Sequence, residues 1–120
     1  MIANGAEKGT EQGDFNKLPL MTVTDDQYRL LYGALEGNVF IIQKLFLLGV
    51  KINAYDYDGR TALGVAASQG NLAVVKYLLA HGADPFHRDI RNNDALADAK
   101  RENHAEVVAC LESAIRHRMA

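Results

Sequence analysis

The chain repeats itself at an interval of 33 residues, and this periodicity constrains it more than any other feature. Leu30 is followed by Leu63 and Leu96, Ala34 by Ala67, and Gly37 by Gly70 and Asn103. Asn38 is followed by Asn71, Ile41-Ile42 by Val74-Val75 and Val107-Val108, Leu45 by Leu78 and Leu111, and Gly49 by Gly82. From about residue 23 onward, apolar falls on apolar and turn residue on turn residue. An interval of this length implies a stacked array of small units, each contacting its neighbours.

Each unit reads as helix, turn, helix, loop. In the middle unit Thr61 starts a short helix with Leu63, Ala66 and Ala67 inward, and the small Ala66-Ala67 pair lets a neighbouring helix come close. Gly70 ends it, because a helix stop commonly needs a left-handed residue; Asn103 takes that place in the third unit and tolerates the same conformation. The second helix runs from about Asn71 to Ala80, with Val74, Val75, Leu78 and Leu79 as a helical apolar stripe. Gly82 stops it, and Pro85 follows where a helix could not continue. Such a pair cannot bury its apolar side alone, and about three units is the usual minimum for stability. The units fall at about 23–55, 56–88 and 89–115, within a repeat domain spanning 19–118. After Ile115, Arg116-His117-Arg118 gives a polar end, and Lys100, Arg101, Glu102, Glu106 and Glu112 suit an outer cap facing water. Residues 1–18 hold Gly5, Gly9 and Gly13 among polar residues and show no apolar period, so they read as a flexible tail.

Composition removes several classes of function. A net charge of −2 lacks the basic excess of a nucleic-acid binder. No apolar run approaches the ~18 residues of a membrane span. A single cysteine, Cys110, cannot form an intrachain disulfide or a two-cysteine zinc site. With no glycosylation sequon and no basic or apolar leader at Met1-Ile2-Ala3-Asn4-Gly5, the expected setting is reducing, intracellular and cytoplasmic.

The run Asp58-Gly59-Arg60-Thr61-Ala62-Leu63, then Ala66-Ala67, Gly70-Asn71, Val74-Val75-Lys76-Tyr77-Leu78-Leu79 and Gly82-Ala83-Asp84-Pro85, resembles the ankyrin repeat. The resemblance covers roughly residues 23–115, with weaker copies in the first and third units. It implies an all-α solenoid of about three helix-turn-helix units, β-hairpin finger loops, and a concave surface that binds other proteins. This chain departs from the family pattern where Thr-Pro-Leu-His reads Thr61-Ala62-Leu63-Gly64. The histidine that ties adjacent loops in the family is therefore Gly64 here. Either Gly64→His stabilises the array, or Gly64 admits a close approach, by a partner or by Tyr32 of the preceding unit. Unit one has Tyr28 where threonine is usual and Gly33 inside its first helix; unit three has Asp94, an acceptable cap. The array is accordingly expected to be of modest stability. More narrowly, Asp56 to Leu63 and Asp84 to Asn93 are similar to the C-terminal ankyrin segment of animal-type glutaminases. Ala95 to Lys100 with His104 and Val107-Val108 is similar to the final repeat of plant-type ankyrin kinases and potassium channels. None of the catalytic residues of those families is in the matched stretch.

Chemistry-bearing residues have bland alternatives. Asp56-x-Asp58-Gly59 hints at a calcium loop, but an EF-hand aligned on Gly59 puts Ala54 and Val65 where acidic ligands belong. A finger turn explains it better. His81, His87, His104 and His117 share no metal spacing, so no metal or other cofactor is expected, although His87 lies in a loop where it could touch a partner. Cys110 falls beside the apolar stripe and reads as a partly buried structural thiol. No nucleophile–base pair or phosphate loop emerges, so no catalytic residue is expected.

Two functional readings follow: a protein-binding adaptor or scaffold, and a regulatory or self-association segment of a larger enzyme or channel. Finger tips and first-helix edges in repeat register are Tyr55, Tyr57, Asp58, Arg60, Ser68, Gln69, Arg88, Ile90, Arg91 and Asn93. These are the candidate partner-binding residues, with aromatic and arginine side chains as anchors. Tyr57 and Ile90 either face a partner or pack on the next finger. Arg60, Arg88 and Arg91 form either a solvated row or a groove for an acidic peptide.

Overall fold

The structure, a computed structural model, describes residues 24–119; the tail expected over 1–18 lies outside them. Six helices follow in order: α1 Asp25–Glu36, α2 Val39–Leu47, α3 Ala62–Gln69, α4 Leu72–Ala80, α5 Ala95–Arg101 and α6 Ala105–Met119. They form three antiparallel pairs, α1–α2, α3–α4 and α5–α6. The first helices α1, α3 and α5 pack in one row, and α2, α4 and α6 in a second.

Local chemistry explains where each helix begins and ends. Thr61 Oγ1 accepts the Gly64 N–H at 3.2 Å and Asp94 Oδ1 accepts the Ala97 N–H at 2.9 Å, each satisfying an orphan donor of the first turn. Gly37, Gly70 and Asn103 are left-handed, with φ of 74°, 75° and 63°. Gly70 has a second reason to be glycine, since a Cβ there would lie 2.5 Å from the His104 ring. Unit one departs from the repeat register. Its cap is Thr24, which forms a reciprocal capping box with Gln27, so α1 starts a turn before Tyr28. Thr24-x-x-Gln27 is the sequence signature of that box. At the other end α6 continues through Ile115 to Met119, because no breaker intervenes and the last-turn Arg116, His117 and Arg118 suit a helix C-terminus.

The core runs along the array between the two rows. Leu30, Ile42, Leu63, Val74, Leu78 and Leu111 are essentially buried. Each full burial of this kind contributes about 1.5–3 kcal/mol. Helix α3 is enclosed: every residue from Ala62 to Ser68 is buried, and the small side chains allow α1 and α5 to close on it from both sides. One charge is buried with them. Asp98 on α5 is held by Arg101 Nη1 at 2.8 Å, and this bond raises the Arg101 guanidinium above its ordinary pKa. The residue that meets Gly64 is Asp98 of the following unit, not Tyr32 of the preceding one. A Cβ at Gly64 would find Asp98 Oδ2 at 3.6 Å and Thr61 Oγ1 at 3.7 Å, ordinary van der Waals distances.

Candidate functional site

The two inter-unit loops are copies of one device. Asp56 Oδ1 accepts the N–H groups of Asp58 and Arg60, both at 2.9 Å. Asp89 Oδ1, one repeat on, accepts those of Arg91 at 2.9 Å and Asn93 at 3.0 Å. Each finger is closed by a backbone bond from Asp56 to Arg60 and from Asp89 to Asn93, and turned by a left-handed residue, Gly59 or Asn92. The carboxylates of Asp56 and Asp89 thus hold turns, the bland alternative to calcium. β-Pairing is confined to one antiparallel bridge, Tyr55 to Thr61; among the described residues no extended strand forms.

The fingers are joined into one ledge. The Ile90 N–H donates to the Asp58 carbonyl at 3.0 Å. His87 Nε2 bonds the Gly59 carbonyl at 2.9 Å, and its ring stacks on Tyr55 with centroids 5.1 Å apart. Asn53 donates to the Gly82 carbonyl at 3.1 Å and accepts the Asp84 N–H at 2.8 Å. With Gly64 in the family's histidine position, loop-tying falls to His87 and Asn53, and sequence reasoning assigned neither to it. Gly59 belongs to this junction as well, since a Cβ there would press on the Asp89 backbone at 3.2 Å.

The ten candidate residues divide between this ledge and the first-helix surface. Tyr55, Tyr57, Asp58, Arg88, Ile90 and Arg91 are exposed on the fingers. Tyr57 is 47% and Ile90 71% exposed, so neither is consumed by finger–finger packing. Asn93 is half-buried under its finger. Ser68 is not an exposed edge: it is buried, donates to the Val65 carbonyl at 2.9 Å, and accepts from Arg60 Nη2 at 3.2 Å. The cause is that α5 closes over the C-terminal end of α3. Arg60, Ser68 and Gln69 line an open cleft of about 400 Å³ with Arg101, Glu102 and His104. Those last three were missed, yet Arg101 and Glu102 lie one repeat after Ser68 and Gln69, so the register could have found them. His104 Nε2 bonds the Ser68 carbonyl at 3.0 Å across the units.

Arg101 is paired with Asp98 and Glu102, whereas among the described residues no carboxylate pairs with Arg60, Arg88 or Arg91. Arg88 instead donates to Asn92 Oδ1 at 3.3 Å. Cys110 is a half-buried free thiol, and among the described residues no three His, Cys, Asp or Glu side chains converge on a common point. No described helix is long and apolar enough to cross a membrane.

Three stacked helix pairs joined by ledge-forming fingers define a repeat protein of the ankyrin class. Residues 30–117 match the family model for ankyrin repeats in three copies, and the chain belongs to that family. It is 43% identical over 84 residues to the liver isoform of mitochondrial glutaminase from Rattus norvegicus, covering 69% of this chain and 14% of that protein. It is 38% identical over 97 residues to serine/threonine-protein kinase 12 of Arabidopsis thaliana, covering 80% of this chain and 21% of the kinase. A potassium channel of Oryza sativa subsp. japonica is 33% identical over 78 residues, covering 65% of this chain and 11% of the channel. The chain therefore spans a small fraction of the length of these relatives.

Proposed function

We propose that the chain is a non-catalytic protein-interaction module that binds an acidic peptide segment along the finger ledge and the adjoining cleft. One observation carries the reading: Tyr57 and Ile90 stay exposed on a ledge that inter-finger hydrogen bonds hold in place. Preorganised apolar side chains at protruding positions lower the ordering cost of binding and act as anchors. Arg60, Arg88 and Arg91, which pair with no carboxylate among the described residues, supply planar donor forks suited to carboxylate or phosphate. A second reading, a regulatory segment within a longer enzyme or channel, is supported by the small share of each relative that the chain spans.

The test is capture of binding partners by the full chain, followed by titration with the acidic segment so found. Tyr57→Ala with Ile90→Ala should abolish capture at unchanged helix content, because exposed substitutions usually shift stability by less than about 0.5 kcal/mol. Lys76→Ala with Glu106→Ala, exposed on the second-helix row, should leave capture intact. The opposite pattern would move the site to the second helices.

A further inference from the structure

Unit one carries on its outer side the surface that the other units use for stacking. Tyr32 and Ile41 stand one repeat before Val65 and Val74, and Ile41 stands two repeats before Val107. Val65, Val74 and Val107 are buried, whereas Tyr32 is 60% and Ile41 40% exposed. Tyr28 and Leu48 extend the same exposed apolar surface. Tyr28, Tyr32 and Ile41 line a cleft of about 370 Å³ with Gly33, Arg29 and Glu36. Gly33 forms its floor, lying close against Ile41 and Ile42.

We infer that a second copy of this chain covers this surface, pairing the α1 helices antiparallel about a two-fold axis near Tyr32. Charge supports this occupant. Arg29, which also pairs with Asp26 of its own helix at 2.8 Å, and Glu36 lie on either side of Tyr32 along α1 and both line the cleft. An antiparallel partner sets the Arg29 of each copy against the Glu36 of the other, which is the self-complementarity an isologous contact requires. Area supports it as well. A standard interface buries about 800 Å² per partner, somewhat over half of it apolar, and four partly exposed large side chains supply on the order of 400 Å². The aromatic pair Tyr28–Tyr32 with Arg29 has the composition of an interface centre. The result is a six-unit array whose finger ledges remain free, so this inference stands or falls independently of the acidic-peptide reading.

The experiment is sedimentation velocity on the full chain from low micromolar to several hundred micromolar. A reversible dimer is expected, weakened about tenfold or more by Tyr32→Ala. Arg29→Glu alone and Glu36→Arg alone each place like charges opposite one another and should be monomeric, with far-UV circular dichroism unchanged. An equimolar mixture of these two variants restores both opposite-charge pairs and should dimerise. A wild-type chain that stays monomeric throughout, or a dimer indifferent to the charge variants, overturns the inference. A monomer whose thermal midpoint falls on deletion of residues 1–23 also overturns it, and assigns the surface to that segment instead.

Discussion

At the scale of single residues, position 64 shows how a family pattern and a particular neighbourhood interact. Glycine within a helix costs up to about 1 kcal/mol relative to alanine. The space around Gly64 admits a Cβ at ordinary contact distance. Gly64→Ala should therefore stabilise the fold by about 0.5–1 kcal/mol, read as a higher urea midpoint at unchanged slope. Gly64→His should do at least as well, because the ring enters beside the buried Asp98 carboxylate, whose Oδ1 is bound by Arg101 and whose Oδ2 lies 3.6 Å from the Cβ position. A lower midpoint for alanine would mean that α5 packs on α3 more closely than these contact distances allow. The same lesson applies to Ser68 and Arg101, whose register positions correspond but whose surroundings do not. Ser68 is covered by the unit after it, whereas the Arg101 side chain stands 48% exposed.

At the scale of elements, Asn38 and Asn71 are the same residue at the same register with different work. Asn38 Oδ1 caps α2 by accepting the Ile41 N–H at 3.2 Å. Asn71 makes no such cap for α4; its amide reaches back to the carbonyls of Ala34 at 2.6 Å and Leu35 at 3.2 Å at the end of α1. His104 continues this line with its bond to the Ser68 carbonyl. Asn71→Ala should cost about 1–2 kcal/mol through two lost carbonyl partners. Its signature is faster amide exchange in α1, an element Asn71 does not belong to. Asn38→Ala should cost about 1 kcal/mol as a lost cap, with exchange faster in α2 alone. Equal exchange patterns for the two variants would show that the inter-unit bonds carry no coupling.

At the scale of the whole molecule, stability is the sum of weak units and the interfaces between them. Leu63 sits in the unit that touches both others and is buried. Leu63→Ala should remove about 2–5 kcal/mol. With only three units the loss should unfold the array in a single transition, read as coincident circular dichroism and tyrosine fluorescence melts. Separate transitions would show that one end pair survives alone. Deleting residues 1–18 should leave the thermal midpoint nearly unchanged, since their composition shows no core-facing pattern.

The 33-residue interval, read from the sequence by itself, determined the three helix pairs, their glycine and asparagine stops, and the buried stripe from Leu30 to Leu111. These are local or nearest-neighbour properties, so periodicity encodes them directly. The tertiary structure decided what periodicity cannot carry. Ser68 becomes a buried acceptor for Arg60, Asp98 a core charge held by Arg101, and Asn71 a tie instead of a cap. His87 takes over the loop-joining that Gly64 cannot perform. In each case the partner comes from another unit or another turn of chain. Equal positions in a repeat meet unequal neighbours, because an array of three has two ends and only one middle.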